Sequence, residues 1–251
     1  RIREMGLRPD RADVIVPAAI VLQRIVKQAG VAEIRVPHVG VREGLLLDMW
    51  TRLYAGKNNL NREQILTGVR QLGRKYAFDE QHSETVARFA VKFFDAPQNL
   101  HNLDAEHRLL LEISALLHDI GHFINISKHH KHAYYLLIAT PVLGLNETQM
   151  AIVANVARYH RMAFPSLRHD GYAALTPRDR VVTSQLAALL RIADAIDTEH
   201  ASKVADFSVE HTKTRCVLHL KGEGDLLLEK WKIAKKATLF EEVFNMKLSV
   251  D

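Results

Sequence analysis

From Asn61 to Asp197 the apolar residues return with the period of an α-helix in six successive runs. These runs are Arg62–Lys75, Glu80–Phe94, Ala105–Leu117, His130–Ala139, Glu147–His160 and Pro177–Asp197. In the second, Val86, Phe89, Ala90 and Phe93 fall on one face, because residues three and four apart stack on a helix surface. Helices with one apolar face each can bury those faces only against one another, so the span predicts a helical bundle. Asn61 with Gln64 at the capping-box position, Asn146 and Thr176 are capping residue types, and they stand where helix starts are required.

The flanks read differently. Residues 1–55 suggest helix, strand, helix: an apolar helix Val14–Val26 ended by Gly30, a short strand Ile34–Val39, and a helix Leu45–Tyr54. Pro17 is tolerable in the first helix because it falls in the first turn. One strand cannot form a sheet alone, and the apolar Val14–Val26 helix calls for cover from residues 40–55, a second chain or a missing domain. Gly56-Lys57-Asn58-Asn59 is a polar joint and the first boundary. Beyond His200 the period shortens to two. Phe207–His211 and Arg215–Leu220 alternate like paired strands, with Lys213-Thr214 as hairpin and Gly222–Asp225 as the next turn. A helical run Leu226–Phe244 and a strand Met246–Val250 complete a small α+β appendage. The expected fold is therefore mainly α, with a short N-terminal α/β remnant (1–55), a helical domain (56–205) and a C-terminal α+β subdomain (206–251).

Composition excludes some classes. No uninterrupted apolar run approaches the ~18 residues of a membrane span, and Arg1-Ile-Arg-Glu-Met5 has no signal-peptide pattern. The single cysteine, Cys216, cannot form an internal disulfide and suits a reducing cytoplasm. In its alternating run it reads as a small core residue. Net charge is +5, which suits an anionic substrate and equally a basic solvated surface. The basic residues are dispersed and not interleaved with aromatics, which argues against specific nucleic-acid binding. The chain begins on Arg, which points to a piece of something longer.

Chemistry concentrates around Leu116-Leu117-His118-Asp119-Ile120-Gly121-His122. An apolar run delivers an imidazole and a carboxylate to its end, and Gly121 lets the backbone turn away. Fourteen histidines are present, most of them between His101 and His169. His169-Asp170 serves as a control: the same dipeptide lies in a polar loop with no apolar run leading in, so context carries the weight. His82, His130 or His132, His160 and Asp194 each sit on a separate helical run. Mixed imidazole and carboxylate donors suit manganese, iron, cobalt, nickel or zinc, and magnesium where few imidazoles bind. Asp194, within Leu189–Asp197, is costly to bury unpaired. A metal or Arg191, three residues earlier, could neutralise it. Taken singly, His82 reads as an exposed helix-start histidine, and His122, His129 and Lys131 as solvated or outlying. His101, His107, His200, His211 and His219 carry no special context.

The ordered set His82, His118-Asp119, Asp194 resembles the HD superfamily of metal-dependent phosphohydrolases. Longer phrases narrow the resemblance. Leu7–Ile15, Val41–Leu46, His129–Ile138, Ala157–Arg161 and Leu190–Asp197 are similar to the C-terminal portion of the exopolyphosphatase / guanosine pentaphosphate phosphohydrolase family, over essentially the whole chain. That resemblance implies an HD-type domain preceded by the tail of the second actin-like (ASKHA) domain. The family's main phosphatase centre, between two actin-like domains, has no counterpart here. It also implies one or two divalent ions on His82, His118, Asp119 and Asp194, with His132 (or His130 as substitute) and His160 as further ligands. His118 and Asp119 would be the catalytic pair. Lys128, His130, Arg158, Arg161 and Arg191 would hold substrate phosphate. The family's lysine after the His-Asp-Ile-Gly phrase is His122 here, which leaves the number of ions open. The implied activity is hydrolysis of a phosphate ester or anhydride, of the nucleotide or polyphosphate class, by a cytoplasmic homodimer. The alternative is a non-catalytic polyanion-binding and dimerisation module serving the absent actin-like site.

Overall fold

The computed structural model describes residues 8–31, 33, 40–54, 58–96 and 101–251. They divide into two compact units, Arg1–Gly56 and Lys57–Asp251.

In the first unit, α1 (Ile15–Ala29) carries Pro17 in its first turn, where a missing N–H costs nothing. It ends at Gly30 in the left-handed region, φ 65°. Helix α2 covers Val41–Tyr54. The expected strand Ile34–Val39 lies outside the described residues. Ile20, Val21, Leu22 and Ile25 are all more than half exposed on α1.

The second unit begins with α3 (Asn58–Lys75), so Asn61 lies within a helix and does not cap one, contrary to the sequence expectation. The helix has already started three residues earlier. There follow α4 (Glu80–Asp95), α5 (Ala105–Leu117), α6 (His129–Ala139), α7 (Glu147–Arg158) and α8 (Pro177–Ile196). Asn146 and Thr176 cap α7 and α8 as expected, while Asp79 and Asp104 cap α4 and α5. Helix α8 packs on α4, α5 and α7 and buries residues on nearly every side from Leu186 to Ile196. A helix surrounded in this way must be apolar all round, and a carboxylate within it stands out.

The C-terminal elements are β1 (Val204–His211), β2 (Arg215–Gly222), α9 (Leu227–Phe244) and β3 (Lys247–Val250). Strand β2 is central, antiparallel to β1 and parallel to β3. A parallel pair needs a crossover, and α9 supplies it before Asn245 turns the chain at φ 52°. The inward residues Val204, Phe207, Cys216 and Leu218 join the same hydrophobic core as the bundle. Phe93 stacks on Phe240 with ring centroids 5.5 Å apart, and Phe207 meets Phe89 edge-on at 5.6 Å. This shared core brings α9 against α8. Among the described residues no helix is long and apolar enough to cross a membrane.

Candidate metal centre

Five helices bring imidazoles and carboxylates to one place, each for a local reason. The Asp79 side chain accepts the backbone N–H of His82, which sets the first turn of α4 and turns His82 inward with Val86 and Phe89. His118 closes α5 as its C-cap. Asp119 follows at φ −105°, ψ 5°, the sparsely used bridge conformation, before a single 3-10 turn, Ile120–Phe123. Gly121 then decides the approach of α6. A Cβ there would lie 2.0 Å from the His129 carbonyl oxygen and 2.5 Å from the Ala133 nitrogen. Only glycine admits the start of α6 so closely, and that approach carries His129 inside. His160 lies just past the end of α7, and Asp194 in the last turn of α8.

The donors form two adjoining groups. In the first, His82 Nε2 and His118 Nε2 lie 3.7 Å and 3.8 Å from Asp194 Oδ1. In the second, Asp119 Oδ1 lies 3.2 Å from His129 Nε2 and 3.4 Å from His160 Nε2. Within each group the ligand atoms are all inside 4.8 Å of one another. Asp119 joins the halves, because its Oδ2 is 3.5 Å from His118 Nε2.

Hydrogen bonds on the outer side of each ring settle which nitrogen carries the proton. His118 Nδ1 donates to Ala115 O at 2.7 Å, His129 Nδ1 to Ile126 O at 3.0 Å, and His160 Nδ1 to Ala157 O at 2.6 Å. His82 Nδ1 donates to the Asp197 carboxylate at 2.8 Å. A carbonyl or carboxylate oxygen only accepts, so a neutral ring keeps its lone pair on Nε2. All four Nε2 atoms face the interior of the cluster. His82 Nε2, His118 Nε2 and Asp119 Oδ1 are buried without a hydrogen-bond partner. Each such atom costs about 1–3 kcal/mol. Atoms so turned can share a cation, and imidazole nitrogen with carboxylate oxygen is a donor set for a divalent transition ion. The outer bonds also match the way metal-bound histidines are oriented by a carboxylate or carbonyl behind them.

The charges divide the cluster. Burial pushes His129 and His160 downward, so both rings stay neutral and able to ligate. Burial pushes Asp119 up, but the neighbouring His118 and His160 outweigh it and keep the carboxyl below its ordinary range. Asp194 is likewise raised by burial and then drawn well below the usual carboxylate range, first by the Lys236 ammonium and then by His82. His82 is lowered by burial, yet the Asp194 and Asp197 carboxylates carry it to about 9, so without a cation this ring is an imidazolium with its Nε2–H turned toward Asp194, and an ion would have to displace that proton.

Several sequence expectations are redistributed. His82, His118, Asp119, Asp194 and His160 come together. His132 does not join them, and His129, expected to be solvated, takes that place. The inward face of α6 is the one that meets Gly121, and it begins at His129 and continues through Ala133 and Leu137. His130 is half-buried, and burial followed by the charges of His129 and Arg161 lowers it to about 4. Lys128 is exposed, in the left-handed conformation at φ 59°. Arg158 lies over the Tyr134 ring at 5.2 Å, and Arg161 is exposed with its charge acting on His129 and His130. Arg191 neither pairs with Asp194 nor faces the cluster's donors. It is buried, donating to Tyr159 O at 2.6 Å and to Ala163 O, with burial lowering it to about 10. Lys236 of α9 makes the ion pair with Asp194 instead.

Sequence reasoning missed four residues. Asp197 orients His82, and His200 stacks on the His82 ring at 3.5 Å while its Nδ1 is 3.0 Å from Asp79 Oδ2. His129 and Lys236 are the others. A signal existed for Lys236: Ile233, Ala237 and Phe240 form the buried stripe of α9, and position 236 falls on it.

Residues 66–238 match the family model described as Ppx/GppA phosphatase, domain III. A guanosine-5'-triphosphate,3'-diphosphate pyrophosphatase of Pseudoalteromonas translucida is 26% identical over 224 residues, 88% of this chain and 43% of that protein. The protein of the same name from Photobacterium profundum is 25% identical over 192 residues, 75% of this chain and 36% of that one. The chain therefore spans about two fifths of the length of these curated relatives.

Proposed function

The chain belongs to the Ppx/GppA phosphatase family, and from that premise we propose that it is an HD-type, metal-dependent phosphohydrolase domain acting on a phosphate ester or anhydride. One ion would be held by His82, His118 and Asp194, and a second by Asp119, His129 and His160. Asp119 stands between them, where a carboxylate can bridge. The observation that carries this reading is the set of buried atoms without a hydrogen-bond partner, His82 Nε2 and His118 Nε2 turned toward Asp194 and Asp119 Oδ1 turned toward His129 and His160. Bound divalent cations would supply Lewis acidity toward a phosphoryl oxygen and would acidify a coordinated water. The chain's own part is to orient the rings from behind, through Asp197, Ala115, Ile126 and Ala157, so that each Nε2 faces the cluster. The relatives' names point to a guanosine nucleotide carrying a pyrophosphate group, and the family name to polyphosphate as the other candidate class.

Elemental analysis of purified chain tests the centre. At least one transition metal per chain is expected, lost in His118→Ala and Asp119→Ala; retention in both variants sinks the reading. Phosphate release from a guanosine tetra- or pentaphosphate should stop on chelation and return with metal.

A second reading is favoured by the charges around His130, where Lys131, Arg158 and Arg161 all act. These would steer a polyanion without metal, in a homodimer that also covers the exposed face of α1. Binding of polyphosphate that survives chelation and weakens steeply with salt would support it.

A further inference from the structure

Lys236 lies on the buried stripe of α9, beside Ile233, Ala237 and Phe240. Its side chain is only 14% exposed, as is that of its partner Asp194. An ammonium has three N–H donors. Among the described residues the only acceptor it meets is Asp194 Oδ2, while Asp194 Oδ1 turns the other way, toward His82 and His118. Two donors of a nearly buried cation are therefore left without a protein acceptor, and such a group is expensive to leave unmatched. The position is also informative. The charge of Lys236 is among the influences on Asp194, in the first half of the cluster, and on His160, in the second. Asp194 is shared in space as well: its Oδ1 faces His82 and His118 while its Oδ2 holds the ammonium, so Lys236 stands one carboxylate away from the first half of the cluster. The two divalent ions of the reading above outweigh the carboxylates Asp119, Asp194 and Asp197, so the ammonium adds to a place that is positive overall. A small oxyanion answers both the charge and the open donors.

We propose that Lys236 is the phosphate-anchoring residue of this site: Asp194 holds the ammonium in place through one carboxylate oxygen, and the remaining N–H donors take a phosphate oxygen. The inference deepens the metal-dependent reading above by naming the group that receives the phosphate. It also makes the C-terminal α+β segment part of the site, since α9 carries the residue.

The test uses inorganic phosphate as the probe. Calorimetric titration of the metal-loaded chain should give an affinity about tenfold or more weaker in Lys236→Met, with metal content unchanged, as for loss of a hydrogen bond to a charged group. Equal phosphate affinity in Lys236→Met overturns the proposal. So does loss of metal in that variant, which would make Lys236 a support of the cage only. Because removing the ammonium strands Asp194, a measurement on the unaltered sequence stands beside it. In chain labelled with nitrogen-15 lysine, the Nζ resonance that disappears in Lys236→Arg should move on phosphate addition, and a fixed resonance refutes the anchoring role. A chain that takes up no metal yet shows this movement would sink the metal reading and keep the anchor. A metal-loaded chain whose phosphate affinity ignores Lys236 would do the reverse.

Discussion

His129 Nε2 lies 3.1 Å from His160 Nε2, and both rings spend their Nδ1 protons on backbone carbonyls behind them. Two neutral imidazoles so placed turn lone pair toward lone pair, with Asp119 Oδ1 as a third acceptor beside them. Burial keeps both rings from protonating. The three atoms are placed to share a cation, which makes the choice of histidine on α6 a sharp test.

His129→Ala should lower metal content by one ion per chain, while His132→Ala should leave it unchanged. Elemental analysis of the two variants side by side decides between them, and the opposite pattern would return the ligand role to His132.

Asp197→Asn keeps the shape behind His82 but withdraws the carboxylate. Metal affinity in the His82 half should fall by about 10–100-fold, the usual effect of removing the group that orients a ligating histidine. Competition against a chelator of known strength measures it, and an unchanged affinity would mean that the His82–Asp197 bond is purely structural.

Gly121→Ala forces a methyl group to within 2.0 Å of the His129 carbonyl. The neighbour is backbone and cannot swing aside, so α6 must move, at a cost of at least about 1–3 kcal/mol. A lower melting temperature together with weakened metal binding is expected, whereas Gly68→Ala, where a Cβ meets nothing within 4 Å, should leave metal binding intact.

Phe240→Ala opens a cavity where α9 and α4 share the core, since Phe93 stacks on that ring. A loss of about 3–5 kcal/mol is expected in denaturant unfolding. Unfolding should remain a single transition for the bundle and the sheet, because one hydrophobic core includes both.

Cys216 is buried, and burial pushes its thiol up to about 11. The thiolate is the reactive form, and raising the pKa keeps it scarce below that pH. Iodoacetamide at pH 8 should therefore label the folded chain slowly and the denatured chain fast. Rapid labelling of folded protein would contradict the packing of β2.

The helices were legible because a surface helix repeats its apolar face every few residues, and α4 to α8 begin and end within two residues of where that period places them. The last strands were legible in part: Cys216 and Leu218 alternate as a half-buried sheet requires, but β1 starts at Val204, three residues before Phe207, where a shift in register between Val204 and Asp206 breaks the alternation. Asn61 misled because a capping residue type is also tolerated inside a helix once the preceding residues have already turned.

What the sequence determined alone was therefore local: which stretches become helix or strand, and that His82, His118, Asp119, Asp194 and His160 are unusual among them. Tertiary structure decided the selection among equals. His129 and His132 differ by less than one helical turn, and only the contact at Gly121 says which of them is turned inward. Arg191 and Lys236 both offered a cation to Asp194, and the crossing of α9 over α8 gave it to the one farther away in sequence. Periodicity is a property of neighbours along the chain, whereas convergence on one point depends on how the helices cross, which no single run of residues encodes.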